Sequence, residues 1–173
     1  MKYALLITGI FFLFSCGPMV SVDFEKQQDF SDFRNFDFYP DIDSGLSELD
    51  DKRIMRSIDS VLRLQGISRA ADPRFYINFY ASEHLSNSRN TLGIGVGGGG
   101  GNVGVGVSGG IPIGGPVIRQ QFTIDFVNAT GDQSLVWQAV VDAEYKERAS
   151  PTQKDQYYYS IIRKALGKFP PKK

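Results

Sequence analysis

One cysteine, one histidine and one tryptophan stand among 173 residues. A lone cysteine has no partner in its own chain, so no internal disulfide can staple the fold. Apolar packing must hold the core alone. A lone histidine, His84, leaves no cluster of imidazoles and thiols for zinc or a transition metal, so no metal or cofactor is expected. Neither sign of charge is in excess: Lys+Arg and Asp+Glu are each 19. Nucleic-acid binding usually needs a clustered basic surplus, and none is present. A membrane-spanning helix needs about 20 apolar residues. The N-terminal run, Tyr3 to Phe14, has only 12.

That short run is informative in itself. Met1-Lys2 give it a basic start, and Ser15 puts a small residue before Cys16. This order reads as a secretory signal peptide, residues 1–15, cut just before the cysteine. Leu13-Phe14-Ser15-Cys16-Gly17 resembles the lipobox of bacterial lipoproteins. The resemblance implies that Cys16 carries lipid and tethers the chain through residues 16–19. Glycine rather than aspartate after the cysteine implies the outer membrane, with the domain facing the periplasm. Three acyl chains would hold far more firmly than the marginal grip of one.

The remaining chain suits a single domain over residues 20–171. Its apolar residues recur mostly with period two. Val20, Val22 and Phe24 alternate with Ser21, Asp23 and Glu25, which predicts a first strand. Residues 33–39 are aromatic and extended up to Pro40, and predict a second. Leu49, Ile54, Ile58, Val61 and Leu62 then fall at helical spacing. Ser47 or Asp50 is placed to cap that helix, and Gly66 to end it. Phe75, Ile77 and Phe79 alternate with Tyr76, Asn78 and Tyr80 in a strand at 74–80, which leaves His84 in a solvated loop. Phe122, Ile124 and Phe126 predict another strand. Leu135, Trp137, Ala139, Val141, Ala143 and Tyr145 predict its hairpin partner across a turn at Asn128–Asp132. Ser150-Pro151 opens a last helix with Tyr157, Ile161, Ala165 and Leu166 on its apolar stripe. The expected architecture is α+β: one mostly antiparallel sheet of four to five strands, with two helices packed on one face.

Residues 93–115 hold 13 of the 19 glycines. Leu92, Ile94 and Val96 alternate with glycine there, as do Val103, Val105 and Val107. Two readings stay open. One is a flexible connection, which is preferred. The other is a ribbon that lies on a membrane or adds to a partner's sheet edge.

Three further features carry a resemblance across residues 20–171. The lipobox is followed by the Val20–Glu25 strand and by Asp29-Phe30-Ser31-Asp32-Phe33, with aromatics up to Tyr39-Pro40. The helix with Ile54, Ile58 and Leu62 ends at Gly66, and Ala71-Asp72-Pro73 precedes the next strand. The chain closes with Asp125-Phe126, Gly131, Leu135-Val136-Trp137 and Leu166-Gly167-Lys168-Phe169-Pro170-Pro171. This order resembles the DUF4136 domain of bacterial envelope lipoproteins. The resemblance implies fold and place, and it transfers no catalytic residue.

The chemistry-bearing residues are sparse. Ser82 and Ser86 flank His84, and Asp125 is available, but the sequence has no Gly-x-Ser-x-Gly elbow. Asp142 and Glu144 share one face of a strand with Gln138 and Lys146, as solvent-facing residues do. A glycosidase pair could be drawn from Asp142, Glu144 or Asp125. Gly95-Val96-Gly97-Gly98-Gly99-Gly100 fits a dinucleotide fingerprint only because the segment is nearly all glycine, and no helix follows it. Trp137 shares a face with Leu135 and Ala139, which places it in the core rather than on a sugar-stacking platform.

No catalytic residue is therefore assigned. The expected function is a non-enzymatic envelope module that binds an envelope protein, peptidoglycan or an assembly partner. The polar sheet face of Tyr76, Asn78, Tyr80, Gln121, Thr123 and Asp125 is the candidate binding surface. A hydrolase acting on envelope material and a purely structural lipoprotein are the alternatives.

Overall fold

Strict alternation builds the centre of the sheet. The computed structural model describes residues 18–86, 91–93, 110–112, 115–131 and 133–171. The expected signal peptide at residues 1–15, Cys16, and residues 94–109 and 113–114 of the glycine segment lie outside these. Among the described residues ten elements follow one another: β1 (Met19–Phe24), β2 (Asn35–Phe38), α1 (Glu48–Leu64), β3 (Ser68–Arg69), β4 (Phe75–Ser86), β5 (Thr91–Gly93), β6 (Gly110–Pro112), β7 (Val117–Asn128), β8 (Leu135–Lys146) and α2 (Pro151–Leu166). Six strands form one open sheet in the order β1-β8-β7-β4-β2-β3. β5 and β6 form a separate antiparallel pair, with Leu92 opposite Ile111.

The expected mixed architecture holds, with more strands than the four to five expected. The extra strand is β3, only two residues long, which pairs parallel to β2. β2 also runs parallel to β4, with Phe36 opposite Phe75. β1, β8, β7 and β4 are antiparallel neighbours. β4 runs well past Tyr80, because β7 pairs with it down to Ser86 opposite Val117. His84 is thus an exposed strand residue and not a loop residue.

One face of the sheet makes the core. Phe75, Ile77 and Phe79 of β4 are fully buried, as are Phe122, Ile124 and Phe126 of β7 and Trp137, Ala139 and Val141 of β8. Ile54, Ile58, Val61 and Leu62 of α1 cover them, together with Tyr158, Ile161, Ile162, Ala165 and Leu166 of α2. Tyr158 replaces the expected Tyr157, which is only half-buried. Leu49 is 64% exposed because it lies in the first turn, off the buried stripe. Leu135 is also exposed. A register shift between Phe126 and Val127 leaves Val136 as an extra residue on β8, so Val136 and Trp137 are both buried in succession. Such a bulge turns the preceding side chain outward.

Phe169 lies beyond α2 and joins the parts. Its ring sits 4.9 Å from Phe126, 5.5 Å from Trp137 and 5.5 Å from Phe30. Phe33 stacks on Phe75 at 4.9 Å. Edge and offset contacts of this kind add attraction beyond simple area burial.

The helix ends are satisfied locally. The Ser47 hydroxyl accepts from the Asp50 amide at the start of α1, and Gly66 takes a positive φ of 79° just past its end. Ser150 and Gln153 form a capping box at α2. The helices run side by side in the same direction. Asp50 joins their starts, 3.0 Å from Arg53 and 2.7 Å from Lys154. The Gln65 side chain donates to the Leu166 carbonyl at the other end. Burial pulls the Asp50 pKa up, but hydrogen bonds from Lys154, Ser47 and Arg53 outweigh it and hold the carboxyl below its ordinary value. Among the described residues no helix is long and apolar enough to cross a membrane.

The core makes a direct prediction. Trp137 is fully enclosed between Phe126 and Phe169. Trp137→Ala should cost about 3–5 kcal/mol of stability, read as a lower urea midpoint with an unchanged slope.

Candidate functional site

The two helices cover one face of the sheet and leave the other to solvent. Register places every expected surface residue on that open face. Asn78 stands opposite Asp125, Tyr80 opposite Thr123, and Ser82 opposite Gln121. β8 continues the rows: Asp125 faces Gln138, Thr123 faces Val140, and Gln121 faces Asp142. Tyr76 lies in the same column as Asn78 and Tyr80, with Tyr39 edge-on to it at 5.8 Å.

The six residues are not equally available. Tyr80 is 42% exposed, Gln121 is exposed, and Tyr76, Asn78 and Asp125 are half-buried. Thr123 is only 4% exposed, which corrects its place in the candidate surface. It sits on a central strand between Tyr80 and Val140, with a neighbour on each side to shield it. Asp125 accepts from the Gln138 amide at 2.8 Å. Burial nonetheless pushes its carboxyl above the ordinary value, against the lowering effect of that bond.

A cleft of about 650 Å³ opens at the sheet edge beyond Met19, lined by Ser82, His84, Arg119 and Asp142 of the open face and by Gln120 and Tyr157 of the helix side. Its side chains pair with one another. Gln121 donates to Asp142 at 3.2 Å, and Arg119 lies 3.8 Å from Glu144. The Ser82 hydroxyl is 3.4 Å from His84 Nε2. Asp125 cannot complete a triad with them. It lies opposite Asn78, six residues along β4 from His84, or about 20 Å at strand spacing. Asp142 and Glu144 are both exposed. Among the described residues no group of three His, Cys, Asp or Glu side chains is placed to hold a metal ion.

A second polar group lies on the helix side, and sequence reasoning missed it. Gln120 is 2% exposed. Its amide donates to Glu83 at 2.7 Å, and its carbonyl accepts from the Tyr157 hydroxyl at 3.2 Å. The Tyr145 hydroxyl donates to the same Glu83 oxygen at 2.8 Å, and Lys154 lies over the Tyr145 ring. Burial, then the Glu83 carboxylate, raises the Tyr145 pKa above its ordinary value. Burial does the same for Tyr157 and Tyr158. These hydroxyls stay protonated: those of Tyr145 and Tyr157 donate, and that of Tyr158 accepts from the Gln120 amide at 3.4 Å. The signal was a phase break: Gln120 is in step with Phe122 and Ile124, and Glu83 with Phe79 and Ala81.

With this geometry in view, the family can be stated. The profile described as "Domain of unknown function (DUF4136)" matches residues 20–171. This chain belongs to the DUF4136 family. The comparison with curated proteins finds no match. Among solved structures, this DUF4136 chain resembles a PDZ domain protein from Parabacteroides distasonis ATCC 8503, at 16% identity and TM-score 0.54. That likeness covers 91% of this chain but only 37% of the other. It also resembles PelC from Paraburkholderia phytofirmans, a dodecamer, at 13% identity and TM-score 0.51 over 90% of this chain and 99% of PelC. At these identities the likeness is one of fold.

The raised pKa of Asp125 gives a pH test. A carboxyl that ionises less readily when folded destabilises the fold once the pH rises above its folded pKa. Below the unfolded value near 3.8 that cost is absent. Asp125→Asn keeps an acceptor for Gln138. It should raise the urea midpoint at pH 7, and the gain should shrink as the pH falls toward 3.8.

Proposed function

We propose that this chain is a lipid-anchored protein of the bacterial envelope, held in the outer membrane through Cys16 with its domain in the periplasm. Its domain acts as a non-enzymatic module that docks another envelope component on the open sheet face. One observation carries the reading. Four antiparallel strands present a continuous, partly exposed face of tyrosine, amide and carboxylate side chains opposite the covered one. Tyrosines are well suited to contact surfaces, because they combine apolar area with a polar tip. Tyr76 and Tyr80 supply that here, and the half-buried Asp125 favours a partner with hydrogen-bond donors.

A second reading rests on the fold likeness to PelC, which is a dodecamer. In it, the docked component is another copy of this chain. A hydrolase has less support, since Ser82 and His84 are brought together but Asp125 lies about 20 Å along the sheet from His84.

Two measurements test the proposal. Cys16→Ser should move the protein from the membrane pellet to the soluble fraction, and the wild-type mature protein should carry the mass of its acyl chains. Affinity capture from crosslinked cells should then return a partner that Asn78→Arg with Gln121→Arg weakens roughly tenfold, about 1.4 kcal/mol. Recovery of the chain itself favours the assembly reading. Equal capture by wild type and variant rejects the open face as the docking surface.

A further inference from the structure

Chain order brings the tether and one tip of the sheet to the same place. Met19 begins β1 and stands opposite Asp142. The sheet does not stop at that rung. β8 runs on to Lys146, which faces Val117, and Val117 in turn faces Ser86. From Asp142 to Lys146 the strand advances about 14 Å at about 3.4 Å per residue. The chain from Met19 back to Cys16 reaches at most about 11 Å when fully extended. The tether is therefore no longer than the overhang of the sheet beyond it.

The geometry points to a lipid surface against this tip: the end of the sheet bearing Leu85, Ser86 and Val117 lies in the headgroup layer, with Leu85 in contact with lipid. The inference rests on the proposed anchoring at Cys16 and deepens it, because it fixes which end of the domain meets the bilayer. Leu85 is 62% exposed, so the tip offers an apolar side chain that the core does not use, and Met19, further back on β1, is 70% exposed on the approach to it. The sequence that enters and leaves it is uncharged: no Asp, Glu, Lys or Arg stands between Arg89 and Arg119. The described parts of that segment, β5 and β6, pair with each other and not with the main sheet. Laying the domain on its β1 edge would instead bring the Asp23 and Glu25 carboxylates to the lipid, which charged groups resist. Charges near the tip balance, with Arg119, Lys146 and Arg148 against Glu83, Glu144 and Glu147. A zwitterionic bilayer therefore suffices.

The test uses the mature chain, residues 16–173, coupled through Cys16 to a maleimide-headgroup lipid in phosphatidylcholine vesicles. This supplies the tether whether or not the cell acylates the protein. Tryptophan is introduced at Leu85, or at Leu64 as a reference. Leu64 is 79% exposed at the end of α1, which leads through Gly66 to β3 at the opposite end of the sheet. Both positions are exposed, so neither change disturbs the core. With brominated acyl chains in the vesicles, the added emission of Leu85→Trp should fall at least twofold, while that of Leu64→Trp should not change. Equal quenching of both, or quenching of Leu64→Trp alone, overturns the orientation. No quenching of Leu85→Trp overturns the lipid contact. Flotation of the native protein from cells reads the anchoring separately, so loss of flotation with quenching intact faults the anchor and not the orientation.

Discussion

The ring of Phe169 is the contact on which the rest of the structure depends. It lies past the last helix, yet it meets Phe30, Phe33, Phe75, Phe126 and Trp137. These rings come from the β1–β2 connection and from three strands of the sheet. A chain without a disulfide must close its ends by packing, and this cluster does so. It ties the C-terminal segment to the centre of the sheet, which fixes α2 over β8. Packing of α2 beside α1, with Asp50 bridging Arg53 and Lys154, then completes the lid on one face.

Because both helices lie on one face, the other is left for something else. The open face is neither apolar enough to demand burial nor charged enough to repel all contact. Its members are tied in rows, such as Asp125 with Gln138 and Gln121 with Asp142. Such rows hold side chains in place, which would lower the ordering cost of the proposed docking. The same sheet sets the attachment geometry. With the proposed anchor at Cys16, a short tether at β1 and an overhanging tip at β4, β7 and β8 would leave the open face standing beside the membrane.

Much of this was legible in the sequence, for a physical reason. Period-two alternation is clear through residues 75–80, 121–126 and 137–143, so Phe79, Phe126 and Trp137 could be placed on the buried face. Capping residues Ser47 and Ser150 marked both helix starts. The losses came where local pattern and tertiary pairing diverge. β3 has two residues and no pattern of its own, and exists only because Ser68 and Arg69 lie beside Asn35 and Phe36. The outer half of β4 reads as polar, and its strand form comes from the β7 ladder. Leu135 was misplaced by a bulge, and Thr123 by enclosure from neighbours on adjacent strands. Gln120 and Glu83 interrupted the apolar phase, and their significance emerged only when Tyr145 and Tyr157 were brought to them. For the open face, the sequence identified the side chains and their common direction. Which of them a partner can reach depended on cross-strand neighbours.

The central claim is that the two faces of one sheet have separate tasks, one structural and one for contact. Site-specific photocrosslinking in cells tests it most directly, with a benzophenone side chain at Tyr80 on the open face or at Tyr159 on the outer side of α2. Both residues are exposed, at 42% and 37%. The account predicts a discrete crosslinked species from Tyr80 and none from Tyr159. A species from Tyr159 alone, or none from Tyr80 in cells where the protein is folded, would contradict it.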